Sequence, residues 1–582
     1  MAGKKQDQIS GFQTLKALFA YTKPYRWMLY TATVLAVLLA PISAVTPYLV
    51  NFIVDDHIMK SDPQGMMVLS LWFLALLILT TGLRYYFMIL TNLLGQSVIK
   101  DLRTKVYSHL LTQNCSYFDN TPVGTNTTRT ISDLESLNSV FSEGLITIIA
   151  DILAIVCILG LMFYSSVKLT LICLVSFPLL IVASYIFKEK VKASFQRVRN
   201  EITRMNTFLQ EHISGMKIVQ IFNAEKHVSN EFKTINREYT QANLDGIFYY
   251  AVFFPVVEII AAASLGFMVW WGAQGVIHHE VTLGHLVAFP MFLSRLFQPI
   301  RMLADKFNTL QMGLLAGSRV LQVLDLKQTE EDLGINSNAS LRGDIKYDHI
   351  SFSYKTDIPV LADISFTLPA GKALAIIGPT GSGKSSIIQL LNRLYKINSG
   401  QIYIGDTEIR DFTLDHLRSK IAFVQQDVFL FSGSLLENIR LNRKEISLEK
   451  VKQCVQQLGL EEFIHSLPNG LAYELAERGS NLSLGQRQLV SFIRALVGDP
   501  EILVLDEATA SIDPNSEKLI QSALEKLICG RTSITIAHRL STIQHADFLL
   551  EIEEGKIKEF GPMKELLSHS DRYFNIKHYQ PS

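Results

Sequence analysis

Along the chain, apolar residues run in long blocks before about residue 310, and after it they fall into short clusters set between polar stretches. Crossing the hydrocarbon core takes about 20 mostly apolar residues as a helix. Six stretches meet that length: 27–53, 66–94, 145–164, 169–187, 248–271 and 283–303. Arg295 and Pro299 interrupt the last, which also reads as a buried amphipathic helix. Basic residues near the span ends set orientation. Lys16, Lys23 and Arg26 precede the first span, Lys100, Arg103 and Lys105 follow the second, and Lys188, Lys190, Lys192, Arg197 and Arg199 follow the fourth. The alternate loops are short and poor in Lys and Arg. Six spans with both ends in the cytosol satisfy this pattern.

The two connections so placed in the cytosol are each about 50 to 60 residues, far beyond the roughly 2–8 of ordinary helix–helix loops. Leu102, Val106, Leu110 and Leu111 recur at helical spacing, as do Phe208, Ile213, Met216 and Ile221. The spacing predicts helices that continue past the spans and turn back near 119–124 and at Ser214–Gly215. Arg84, Asp151, Glu258 and Arg295 fall inside spans, where charge is costly; each lines a substrate path, pairs with another span or snorkels. Trp270 and Trp271 read as an interfacial belt.

Past Asp325 the pattern changes. Residues 327–340 are rich in Glu, Asp, Asn and Ser and read as a linker. Then β-type runs (345–354, 372–377, 421–424, 502–505, 533–536 and 548–552) alternate with helical ones, which predicts an α/β domain with a largely parallel sheet. The expected organisation is a membrane domain over 1–325, a linker over 326–343 and an α/β domain over 344–582.

Composition sharpens this. The 582 residues carry 54 Lys+Arg against 54 Asp+Glu, a balance that argues against a nucleic-acid-coating protein. Charged residues are 19%, below the roughly 25% of an average soluble chain. Five cysteines (Cys115, Cys157, Cys173, Cys454 and Cys529) show no CxxC spacing and offer neither a disulfide framework nor a zinc site. The polar start, with Lys4, Lys5, Asp7 and Gln8, shows no cleaved signal peptide.

The chemistry concentrates in Gly378-Pro379-Thr380-Gly381-Ser382-Gly383-Lys384-Ser385, a GxxxxGK[ST] match between a strand and a helical run that starts at Ser386. The glycines let backbone N–H groups wrap phosphate oxygens at a helix N-terminus. Lys384 brings a point charge to the β/γ-phosphates, and the Ser385 hydroxyl reaches Mg²⁺. A second apolar strand, 502–505, ends in Asp506-Glu507. There Asp506 suits the Mg²⁺ shell, and Glu507 suits a group that polarises the attacking water. Alone, two acids after an apolar run would be a solvated strand end. Downstream of a phosphate loop they indicate a chain that binds and hydrolyses a nucleoside triphosphate.

Between these motifs lies Asn481-Leu482-Ser483-Leu484-Gly485-Gln486-Arg487-Gln488, similar to the LSGGQ signature of the ATP-binding-cassette transporters. Other segments resemble that family in order. Tyr354 sits where an aromatic stacks on adenine, Gln426 matches the Q-loop, and Glu477-Arg478-Gly479 resembles the exporter-specific segment. Asp513 matches the D-loop and His538 the switch histidine. The membrane half is similar too: Phe118-Asp119, Pro122, Gly124, Arg129 and Asp133 look like the first coupling segment, and 211–225 like the second, each expected to rest on the ATPase domain.

The resemblance implies an all-α six-helix transmembrane domain with long cytosolic extensions, followed by an α/β P-loop ATPase. It implies ATP and Mg²⁺ held by Tyr354, 378–386, Gln426 and Asp506, with Ser483, Gly485 and Gln486 serving the opposite chain's ATP, and Glu507, His538 and Gln426 in catalysis. The implied activity is ATP-driven export or flipping of drugs or lipids from a bacterial cytoplasmic membrane, by domain dimerisation and alternating access. A nucleotide-gated channel or receptor is the alternative. One ATPase domain per chain implies a half-transporter that needs a second half. Leu484, where the family usually has glycine, tilts that expectation slightly towards a heterodimer. The implied cargo is hydrophobic or amphipathic, with no nucleic acid.

Overall fold

In the computed structural model the described residues are 11–327, 332, 334–355, 358–441, 443, 445–506, 514–537 and 546–568. They form two compact units. One comprises Met1–Leu111 and Val123–Leu326, the other Thr112–Pro122 with Lys327–Ser582.

The first unit is helical. It contains α1 (Gly11–Ala20), α2 (Arg26–Phe52) and α3 (Pro63–Leu111). After α4 (Cys115–Asn120), which belongs to the second unit, come α5 (Val123–Thr130), α6 (Ser132–Ser139), α7 (Leu145–Ser165) and α8 (Val167–Leu174). Then follow α9 (Phe177–Ser214), α10 (Met216–Ile221), α11 (Glu225–Ile277) and α12 (Leu283–Leu324). At 1.5 Å per residue, α3 is about 70 Å long, more than twice the hydrocarbon thickness of about 30 Å. It continues past its apolar half because Leu90, Leu94, Val98, Leu102, Val106 and Leu110, spaced by one turn, are all buried.

Five helical stretches among the described residues are long and apolar enough to cross a membrane: Lys23–Ile58, Pro63–Leu111, Val123–Ser165, Val167–Ser214 and Glu225–Ile277. The sixth expected span lies in α12, a continuous helix whose apolar run Pro290, Arg295, Gln298 and Pro299 dilute. Its side chains Phe289, Phe292, Leu293, Leu296 and Phe297 are nevertheless buried, in one cluster with Phe253 and Val257 of α11 and Met162 of α7. Trp72, Ile78 and Tyr85 of α3 are exposed, apolar surface that suits lipid.

The ionisable residues inside the spans find different settings. The Lys306 ammonium pairs with Asp151, joining α12 to α7. Arg295 donates to the Ser43 carbonyl of α2 at 2.9 Å. Arg84 and Glu258 are exposed on α3 and α11. Trp270 and Trp271 lie exposed near the end of α11, their rings at 88°.

The second unit opens on an antiparallel sheet of β1 (Ile345–Phe352), β2 (Leu361–Leu368), β4 (Ser399–Ile404) and β5 (Thr407–Glu408), in the order β2-β1-β4-β5. The larger sheet uses β3 (Ala373–Ile377), β6 (Ile421–Val424), β9 (Ile502–Asp506), β10 (Thr532–Ile536), β11 (Phe548–Glu553) and β12 (Lys556–Pro562). Its order is β12-β11-β3-β10-β9-β6, with all neighbours parallel except β11 and β12. A third pair joins β7 (Gly433–Ser434) to β8 (Glu474–Leu475). β3 and β9 are apolar at nearly every position, and β10, although it carries Thr532, Ser533 and Thr535, is buried throughout, as strands covered on both faces are. The helices of this unit are α13 (Lys384–Leu391), α14 (Leu414–Lys420), α15 (Leu435–Arg440), α16 (Leu448–Leu458), α17 (Glu461–Ser466), α18 (Leu484–Val497), α19 (Pro514–Ile528) and α20 (Met563–Ser568).

The polar stretch after Asp325 packs on this unit. Asp332 accepts from the Leu414 N–H, and buried Leu341 donates its N–H to Glu501 at 2.8 Å.

Candidate functional site

Register places the chemistry. Val424 pairs with Leu505, Asp506 with Ile536, and Ile536 with Ile376. These strands are parallel, so the segments that follow them leave the sheet on the same, carboxyl edge. Gln426, Asp506 and the loop 378–383 therefore share one edge, where open α/β sheets bind ligands.

The loop is shaped by two glycines. At Gly378 a Cβ would collide with the Ile552 carbonyl. At Gly383, φ is +103° and a Cβ would lie 2.6 Å from Leu361 Cδ2. Only glycine fits either place. Gly383 precedes the first turn of α13, whose free N–H groups and dipole favour an anion. Lys384 is buried, and its ammonium donates to the carbonyls of Gly378 at 2.8 Å and Pro379 at 2.9 Å, which holds the charge over the loop. Ser382 Oγ is buried with no partner among the described residues. An orphan hydroxyl inside a ring of backbone donors fits a phosphate-binding cradle. Ser385 is exposed on the same first turn, and Ser386 is buried behind it. Ser385, Gln426 and Asp506 offer hydroxyl, carboxamide and carboxylate oxygens, a hard donor set that suits Mg²⁺.

Tyr354 follows β1 and reaches this helix. Its hydroxyl meets Ser386 Oγ at 3.0 Å and donates to Gln389 Oε1 at 2.6 Å, leaving the ring half-exposed beside the loop. Burial raises the Tyr354 phenol above its ordinary value, so it stays a neutral donor.

Ser483 caps α18. Its Oγ accepts from Gln486 N–H at 3.2 Å, while Gln486 Oε1 accepts from Ser483 N–H at 2.9 Å. Ser-x-x-Gln is a capping-box pattern. Both residues, expected from the signature to contact nucleotide, thus also have a local role that their spacing carries. Gly485 is buried; Leu484, the first residue of α18, is half-buried. Asn481 braces the approach, donating to Glu474 O and Tyr473 Oη and accepting from Ala476 N–H. Within Glu477–Gly479, Arg478 has φ +56°, a strained setting for a non-glycine residue.

Glu507, Asp513 and His538 lie outside the described residues. Tyr395 and Asp119 lie beside the site; the sequence marks Asp119 only as part of the first coupling segment and does not mark Tyr395. Tyr395 packs edge-on to Tyr354, with centroids 5.0 Å apart at 89°, and its hydroxyl donates to the Asp119 carboxylate. No motif marks such a pair, since it joins residues far apart in the chain.

Two family profiles match, one described as the ABC transporter transmembrane region over residues 29–300, the other as ABC transporter over 361–510. Among curated relatives, the uncharacterized ABC transporter ATP-binding protein YknV of Bacillus subtilis (strain 168) is 35% identical over 562 residues, 96% of this chain and 93% of its own. An ATP-dependent lipid A-core flippase of Desulfotalea psychrophila is 34% identical over 563 residues, 96% of this chain and 98% of its own. The "Probable multidrug resistance ABC transporter ATP-binding/permease protein YheH" of Bacillus subtilis is 34% identical over 528 residues, 90% of this chain and 78% of its own. With a membrane region and an ATPase domain fused in one polypeptide, the chain belongs to the ABC transporter family and is an ATPase coupled to membrane transport.

Proposed function

We propose that this half-transporter exports or flips hydrophobic or amphipathic cargo, drugs or lipids, across a bacterial cytoplasmic membrane. The observation that carries the reading is the shared carboxyl edge of β3, β9 and β6, which gathers the phosphate loop, Asp506 and Gln426 in a chain that also holds apolar membrane helices. The names of the relatives, lipid A-core flippase and multidrug resistance transporter, support the cargo class.

In this reading α12 is the sixth span, and both chain ends lie in the cytosol, as the Lys and Arg bias favours. Adenine stacks on Tyr354, residues 378–386 cradle the phosphates, and Lys384 neutralises their charge. Ser385, Gln426 and Asp506 would hold Mg²⁺, which supplies charge neutralisation on the phosphates when bound. Glu507 orients the attacking water, with His538 and Gln426 beside the γ-phosphate. Ser483, Gly485 and Gln486 serve the ATP of a second half-transporter, so two chains close around two nucleotides. Leu484 puts a branched side chain where the usual glycine lets the backbone approach phosphate closely, which favours a heterodimer with one weak site.

The test is steady-state ATP hydrolysis by the purified chain in reconstituted membranes, screened across lipids and hydrophobic drugs. Stimulation by either class supports export and assigns the cargo. ATP binding without turnover both by the chain alone and by the chain paired with a second half-transporter would overturn the reading.

A further inference from the structure

Phe352, Tyr354 and Tyr395 form an aromatic cluster beside the phosphate loop. Phe352 meets Tyr354 at 4.8 Å and Tyr395 at 6.0 Å, and Tyr354 meets Tyr395 at 5.0 Å. Tyr354 is fixed from α13 by Ser386 and Gln389, so its ring has little freedom except through its aromatic neighbours. Tyr395 is fixed at its other end by Asp119. Burial first, and then the hydrogen bond to Asp119, push the Tyr395 phenol well above its ordinary value, so it remains a donor across the working pH range.

Asp119 lies on α4, whose start is capped by Asn114 Oδ1 accepting from Tyr117 N–H at 3.1 Å. Tyr117 is buried, and its ring meets Phe118 edge-on at 5.3 Å. The segment Thr112–Pro122 thus belongs to the α/β unit, while its two ends continue directly into α3 and α5 of the helical unit. A side chain of the segment that joins two helices of the membrane part is one hydroxyl and one ring away from Tyr354.

We propose that Tyr395 and Asp119 form a base-sensing relay: adenine stacked on Tyr354 is felt through Tyr395 at the segment Thr112–Pro122, and Asp119 in turn positions Tyr354 for the base. This rests on the reading of Tyr354 as the adenine platform. Stacking restricts the Tyr354 ring, the perpendicular contact passes the restriction to Tyr395, and the hydrogen bond to Asp119 stiffens α4. Binding linkage makes the effect mutual, so loosening Asp119 weakens the hold on the base. Asp119 and Tyr395 are positioning residues; neither is placed on the phosphates.

Amide hydrogen exchange on the full-length protein tests this, with ATP in EDTA to prevent turnover and inorganic tripolyphosphate as a probe without a base. ATP should slow exchange both at 378–385 and at 112–122, the latter by about fivefold or more, the lower end of ordinary coupling between sites. Tripolyphosphate should protect 378–385 alone. Tyr395→Phe keeps the ring and removes one hydroxyl, so ATP should still protect 378–385 and no longer protect 112–122. Asp119→Ala, which removes the acceptor of that hydrogen bond, should behave alike and keeps the test open if the first variant misfolds. Protection of 378–385 by ATP with none at 112–122 overturns the relay and leaves the proposed function standing. So does equal protection of both segments by tripolyphosphate, or a wild-type response in both variants. No protection at 378–385 by ATP removes the nucleotide reading and the relay together.

Discussion

Gly383 shows how tightly single residues are specified at the phosphate loop. Its φ of +103° penalises any side chain even if the Leu361 methyl, 2.6 Å from where a Cβ would stand, swings aside. Gly383→Ala should weaken ATP binding by about tenfold or more, since left-handed backbone costs a side chain roughly 1–2 kcal/mol before the clash is counted; titration with a fluorescent ATP analogue measures it. Lys384→Ala should also weaken binding. Glu507→Gln, by contrast, should retain binding and nearly abolish turnover, because a carboxamide is a poor partner for the attacking water's proton. Unchanged steady-state hydrolysis, measured with a hydrolysis-incompetent second half, would remove Glu507 from that role. The loop was legible in the sequence because each of its positions answers a separate chemical demand, at fixed spacing. Ser483 and Gln486 were legible only in part: the motif drew attention to phosphate, while their spacing also spelled the reciprocal cap that the structure shows. Asp119 is marked in the sequence as part of the first coupling segment, but its pairing with Tyr395 is illegible, because a hydrogen bond between residues 276 positions apart leaves no local pattern.

Elements were read well where periodicity is strong. The spacing of Leu102, Val106, Leu110 and Leu111 predicts a helix running past its apolar span, and α3 is that helix, with the first three of these residues buried and Leu111 exposed. The turn expected at Ser214–Gly215 falls where α9 gives way to α10. The stretch after Asp325 shows the limit of composition: polar residues read as a linker, yet Leu341 is buried and its N–H is held by Glu501. Burial alone would raise the Glu501 carboxyl, but the Leu341 N–H and the Lys420 ammonium at 3.2 Å outweigh it and hold it below its usual range. A depressed carboxylate stabilises the fold above its unfolded value of about 4.3, and the contribution fades as pH falls through the lower folded value. Glu501→Gln should therefore lower the melting temperature at pH 7, and the gap to the wild type should close below about pH 4. A constant gap across that range would mean that the contact acts through shape alone. The turn glycines give a further prediction. A Cβ at Gly124 meets nothing within 4 Å, whereas one at Gly215 meets the Glu211 carbonyl at 3.1 Å. Gly124→Trp should fold normally and lose substrate stimulation of ATPase while keeping basal hydrolysis; retained stimulation would place the coupling contact elsewhere.

At the scale of the whole molecule, what the single chain carries and what it must borrow are decided by the same geometry. The phosphate loop and the signature helix α18 lie on different strand connections, and the proposed mechanism uses each of them against a second chain. No pattern within one sequence names that chain, so the partner was legible only through Leu484. The structure sharpens the argument there. Ser483 caps α18 and Leu484 is its first helical residue, so leucine is conformationally acceptable and costs nothing in the fold of this chain. Any penalty must then fall on what approaches the helix start from outside. A phosphate drawn to the N–H groups there would meet a half-buried branched side chain in place of open backbone. This predicts an asymmetric pair: hydrolysis at this chain's own loop facing the partner's signature, and weak turnover at the partner's loop facing Leu484. Expressed alone, the chain should give little ATPase, and Leu484→Gly should raise it several-fold, because in a homodimer both sites would carry the leucine. Addition of a second half-transporter with an unaltered signature should restore activity to the wild-type chain. Robust ATPase from the chain alone, unchanged by Leu484→Gly, would show that the leucine is tolerated at the nucleotide and that two identical halves suffice.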